Sequence, residues 1–99
     1  MVIIMGTVRI PPQNLILARE AMTAMVEASR ADAGCISYGY AQDVFEPDLI
    51  RVSEVWKDQA AVDFHFATPH IAAWRATWAS LGISDRRLSL YQAGDPKPL

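Results

Sequence analysis

The sequence predicts an α+β domain with the element order β-α-β-β-α-β. Two observations carry this: short runs of β-branched and aromatic residues, and stretches between them whose apolar residues follow helical spacing. A third is size, since 99 residues suffice for one domain with a single core and not for two.

Residues Val2 to Ile10 are rich in β-branched types and end at Pro11-Pro12, which reads as a strand stopped by prolines. Asn14 is a candidate N-cap for a helix of roughly four turns. Its inward stripe is Leu15, Ala18, Met22, Met25, Val26 and Ser29, and Gly34 suits its end. Cys35 to Gln42 form a second strand, with Ile36, Tyr38 and Tyr40 on one side. The stretch Asp43 to Asp48 is a turn, and Leu49 to Trp56 make the third strand of a hairpin. Asp58 can cap a short helix through Phe66, and Thr68-Pro69 repeats the start signal. His70, Trp74, Trp78 and Leu81 share one face of that last helix, which Gly82 stops. A strand from about Arg87 to Ala93 follows, and residues 95–99 are expected to form a loose tail after a single domain over 1–94. The order is the ferredoxin-like motif with its second helical region split in two.

Helices would cover one face of such an antiparallel sheet. The other face should then be polar, yet the first strand carries Val2, Ile4, Val8 and Ile10 on one side and Ile3 and Met5 on the other. The third strand repeats this, with Ile50, Val52 and Trp56 opposed by Leu49 and Val55. A second sheet should therefore pack on the open face, most simply that of an identical chain in a two-fold dimer.

Composition narrows the function classes. A net charge of -2 with scattered basic residues argues against nucleic acid or an anionic membrane as partner. The lone Cys35 excludes an internal disulfide and fits a reducing compartment. The apolar start, Met1 to Met5, is short and lacks a basic flank, so neither a signal peptide nor a membrane span is expected and the cytoplasm is the default. No metal-ligand spacing, Gly-rich phosphate loop or Gly-x-Ser-x-Gly elbow occurs.

Three short pieces stand out in order: Gly34-Cys35-Ile36-Ser37-Tyr38, then Glu54-Val55-Trp56, then His65 with Thr68-Pro69-His70. Together they resemble the antibiotic biosynthesis monooxygenase family, over about residues 2 to 93. The resemblance implies a dimeric α+β barrel with a pocket between sheet and helices in each subunit. It also implies small aromatic, quinol or polyketide-like substrates and oxygen chemistry with no flavin, metal or other cofactor. The haem-degrading branch expects an Asn in the first strand and an axial His on the last helix. This chain has Gly6-Thr7 and Trp74 there, which argues against haem.

Oxidising a phenol or quinol without a cofactor needs a base near neutral pKa, an apolar slot for the ring and donors for the developing oxyanion. His65 and His70 are the only histidines, and each is a candidate base, or else a packing residue and a capping residue respectively. Glu54 shares a strand face with Ile50, Val52 and Trp56 and must be paired or carry a raised pKa; it is a base, an orienting partner or a structural acceptor. Tyr38 is a candidate oxyanion donor, with Tyr40 and Tyr91 weaker ones. Trp56, Trp74, Trp78 and Phe64 are candidates for an aromatic substrate wall, and core packing explains such a stripe equally well. Cys35 reads as a small buried hydrophobe. The leading expectation is a cofactor-independent monooxygenase of a small aromatic. The alternative is a non-catalytic ligand-binding or stress-related dimer of the same fold.

Overall fold

The computed structural model describes residues 1–99. Strands β1 (Val2–Arg9), β2 (Cys35–Gln42), β3 (Leu49–Trp56) and β4 (Ser84–Gln92) form one open antiparallel sheet in the order β2-β3-β1-β4. Helices α1 (Leu15–Arg30), α2 (Gln59–Phe66), α3 (Pro69–Ala76) and α4 (Trp78–Leu81) accompany it. The arrangement is the ferredoxin-like α+β fold, and no helix is long and apolar enough to cross a membrane.

Pairing fixes which residues look inward. Val2, Ile4 and Val8 of β1 lie opposite Trp56, Glu54 and Ile50, so one row of side chains crosses from strand to strand toward the helices. Val2, Ile4, Met25, Tyr38, Trp56, Val62, Ile71 and Trp74 form the main core, and Val8, Ile10, Ile50 and Val52 a second cluster beside it. Burying each of the larger side chains stabilises the fold by about 1.5–3 kcal/mol. Gly6 is required in the central strand, because a Cβ there would lie 1.9 Å from the Arg87 carbonyl oxygen of β4.

Several local expectations need correction. Asn14 does not cap α1: a 3-10 turn over Pro12–Asn14 leads into the helix, and the Asn14 amide donates to the Leu81 carbonyl at 2.9 Å, tying the two helical regions together. A bulge between Cys35 and Ser37 turns Ile36 outward, where it is 57% exposed, so Tyr38 and Tyr40 do not share their face with it. The second helical region is broken twice, again at Thr77, whose hydroxyl donates to the Trp74 carbonyl at 2.7 Å. Strand β4 begins three residues before the expected Arg87. Leu49, placed on the open face by alternation, is buried.

Candidate active site

The second helical region returns over the sheet and brings both histidines to one carboxylate. Asp58 starts α2 by accepting the Ala61 N–H at 2.9 Å, which sets the helix so that His65, in its last turn, points at the sheet. The Thr68 hydroxyl donates to the His65 carbonyl at 2.6 Å, closing that turn before Pro69 opens α3. His70 then faces back toward His65, with ring centroids 6.0 Å apart.

Asp32, in the turn between α1 and β2, joins them. Its Oδ2 lies 2.9 Å from His65 Nδ1 and 2.9 Å from His70 Nε2. A carboxylate only accepts, so both ring nitrogens carry the proton in these bonds. His65 is thereby fixed as the tautomer with a lone pair on Nε2, and that atom is buried with no protein partner. Burial pushes the His65 pKa below its ordinary value, while the hydrogen bond and charge of Asp32 act in the opposite direction.

The His65 ring is enclosed by aromatics: Trp56 at 4.6 Å, Tyr38 at 5.3 Å and Phe66 at 5.3 Å between centroids. Glu54, 2% exposed, places Oε1 4.0 Å from His65 Nε2, too far for a direct hydrogen bond. The same oxygen accepts the Trp56 indole N–H at 3.0 Å. Burial raises the Glu54 pKa, and the Trp56 donor and the charge of Arg86 moderate that rise. The Tyr38 hydroxyl donates to the Met25 sulfur at 3.3 Å, and burial raises its pKa strongly, so it remains a neutral phenol.

A cavity of about 20 Å³ sits between sheet and helices, lined by Tyr38, Tyr40, Glu54, His65, Trp74 and Trp78 among others. That is room for one oxygen-sized group and not for a ring. Tyr40 also lines a groove of about 460 Å³ between α1 and the sheet, so a single phenol ring stands beside both spaces. Arg75 over Phe66 at 5.6 Å and Arg86 over Trp78 at 5.8 Å border the cavity.

Of the residues singled out from sequence, His65, Glu54, Tyr38, Trp74 and Trp78 line this cavity, and Trp56 packs on the His65 ring. His70 contacts the group through Asp32 and is 23% exposed. Phe64 points away, 61% exposed on the outer side of α2, and Phe66 takes the place expected for it. Asp32 was not among the candidates. Its signal is a carboxylate just past the C-terminal end of α1, where the helix dipole disfavours negative charge unless donors hold it.

Asp32, His65 and His70 each offer a ligand atom, all within 4.8 Å of one another, and could hold a metal ion. To do so both imidazoles would have to give up the protons that now bind Asp32.

The match to known proteins is with this scaffold. Residues 1–77 fit the model of the antibiotic biosynthesis monooxygenase family. The chain belongs to that family. An uncharacterised protein of Synechocystis is 26% identical over 98 residues, covering 99% of this chain and 67% of its own length. YcnE of Bacillus subtilis, named provisionally as a monooxygenase, is 28% identical over 76 residues, 77% of this chain and 80% of its own. A crystal structure from Deinococcus radiodurans, assigned provisionally to the antibiotic biosynthesis monooxygenases, superposes with a TM-score of 0.90 at 24% identity, covering 100% of this chain and 98% of that one. The family match ends at residue 77, so Trp78, Arg86 and all of β4 lie beyond it.

Proposed function

We propose that this protein is a cofactor-independent monooxygenase of a small aromatic bearing an acidic hydroxyl, such as a quinol or an enolised anthrone. The observation that supports it is the His65 Nε2 lone pair, buried and unpartnered at the cavity, with Asp32 holding the opposite ring nitrogen. The substrate hydroxyl gives its proton to Nε2, and Asp32 steadies the imidazolium that forms. The resulting anion is electron-rich enough to reduce O2 directly. One oxygen atom enters the substrate and the other leaves as water, the substrate supplying all four electrons and the two hydrogens of that water, so no external reductant is needed.

In this reading His65 is the base and His70 supports it through Asp32. Glu54 and Trp56 hold the wall against which the ring of His65 packs. The substrate ring lies in the groove beside Tyr40 and its oxygen reaches the cavity once that phenol turns. Two chains pack through the open sheet faces to form the dimeric barrel. A second reading, a ligand-binding dimer without chemistry, draws on the small cavity volume.

Oxygen consumption with reduced naphthoquinols and anthrones, using flavin-free and metal-free protein, separates the two. Uptake above autoxidation with one oxygenated product, lost in His65→Ala, is the expected result. Uptake no faster than with His65→Ala across the panel would overturn the enzyme reading.

A further inference from the structure

Two buried donors at the same cavity are unaccounted for by a base alone. The indole N–H of Trp78 has no acceptor in the protein, and that of Trp74 has no well-formed hydrogen bond, its nearest acceptor being the Tyr40 hydroxyl, whose pKa it lowers. Trp74 is 3% exposed, and both residues line the cavity that His65 Nε2 faces. A buried N–H without an acceptor is costly and rare, and here both indoles belong to residues that line the same cavity as His65. They stand four residues apart on either side of the break at Thr77, one at the end region of α3 and the other opening α4. Arg86 lies over the Trp78 ring at 5.8 Å and adds positive charge at the rim. The volume, about 20 Å³, admits one oxygen atom.

We propose that Trp74 and Trp78 form a two-donor cradle for a single anionic oxygen, the phenolate or enolate oxygen of the substrate. This rests on His65 as the base, since the anion forms where its Nε2 takes the proton. The geometry divides the labour. Asp32 stabilises the imidazolium on one side of His65, and the indoles stabilise the anion on the other, so proton transfer inside the protein separates no unpaired charge. Selectivity follows, because neutral rings without an ionisable hydroxyl leave both indole donors unmatched.

Binding of 4-nitrophenol tests this without any turnover. Its ionised form is followed by absorbance across a pH series, against the parent, Trp74→Phe, Trp78→Phe and the double variant. Phenylalanine keeps an aromatic ring and removes the donor. The parent is expected to bind the phenolate about 10-fold or more tighter than the phenol, with each variant losing several-fold of that preference and the double variant losing nearly all. The indole N–H resonances of Trp74 and Trp78 should shift on phenolate addition in a 15N-labelled protein. That readout does not depend on the variants folding. Failure to bind, binding without preference for the anion, or a preference unchanged in the double variant would overturn the cradle. Oxygen uptake reads out separately. Trp-dependent phenolate binding with no oxidation sinks the monooxygenase reading and keeps the cradle. Oxidation at the parent rate in the double variant does the reverse.

Discussion

Asp32 gives one carboxylate oxygen to two imidazoles, and this sharing decides what His65 can do. With Asp32→Asn the amide oxygen can still accept from both rings, but the negative charge is lost, so an imidazolium forming on His65 is no longer stabilised. The rate of substrate oxidation should fall about 10²-fold or more. The pH profile carries a sharper signature. In the proposed reaction activity needs neutral His65, so it is present above the His65 pKa and lost as pH falls through it, and burial moves that limb down from the ordinary histidine range. Asp32 raises this pKa, so the residual activity of Asp32→Asn should fail at still lower pH than the parent. A limb moving upward would contradict the assignment. Glu54 makes the opposite kind of prediction. Its folded pKa is raised above the ordinary 4.5, so its contribution to stability is full below that value and lost as pH rises through the folded pKa. Glu54→Gln keeps an acceptor for Trp56 and removes the buried charge. Its melting temperature should exceed the parent's by about 4 °C at pH 8 and match it at pH 4. At this scale the sequence showed His65, Glu54 and Trp56 because their spacing is local. Asp32 pairs with histidines 33 and 38 residues away, and its one local signal, a carboxylate past the end of α1, does not name those partners.

At the scale of elements, β1 is the strand on which the sheet depends, since it pairs with both β3 and β4. Gly6 sits at its middle, against the β4 backbone. In Gly6→Ala the new methyl would meet the Arg87 carbonyl at 1.9 Å, and a backbone oxygen in a paired strand has little room to yield. The expected loss is about 3 kcal/mol or more, read as a lower urea midpoint, with the β1–β4 amides losing protection from hydrogen exchange first. An unchanged midpoint would mean that β4 can move off the sheet edge at little cost. The same strand shows where pattern reading stops. Strands β1 and β3 announce themselves through buried alternation, whereas β4 opens with Ser84-Asp85-Arg86-Arg87, all exposed on an edge, and carries no periodic signal there. Edge strands are kept polar for protection against further pairing, which hides them from a hydrophobic pattern. The break at Thr77 was equally silent, because Trp74 and Trp78 keep helical spacing across it.

The whole molecule is a slab of 39 × 31 × 19 Å, one helical layer on one sheet, and the far side of that sheet is bare. Pairing places Val55, Ile3 and Tyr91 in one row across it, Ser53, Met5 and Ser89 in the next, and Arg51, Thr7 and Arg87 in a third. The face is thus graded from apolar to basic, and less uniformly apolar than alternation in β1 and β3 had led one to expect. Met5 and Tyr91 are each about half exposed in the single chain, with Ile3 and Val55 beside them. Such a row is costly against water and ready to meet a copy of itself. Sedimentation should therefore give twice the chain mass at micromolar concentration. Met5→Lys with Val55→Lys puts two charges into the apolar rows while leaving the core under the helices untouched, so the variant should sediment as a folded single chain. A parent that sediments as one chain, or a double variant that stays paired, would place the contact elsewhere, at the exposed Ile16 and Leu17 of α1 or along the free edge of β2. The cavity connects this outcome to chemistry. Its walls at β3 are the reverse side of the same residues' strand, and Glu54 lies between Ser53 and Val55. If pairing stiffens β3, a forced monomer should keep phenolate binding with a weaker preference for the anion. If the site is complete in each chain, the monomer should bind as the dimer does.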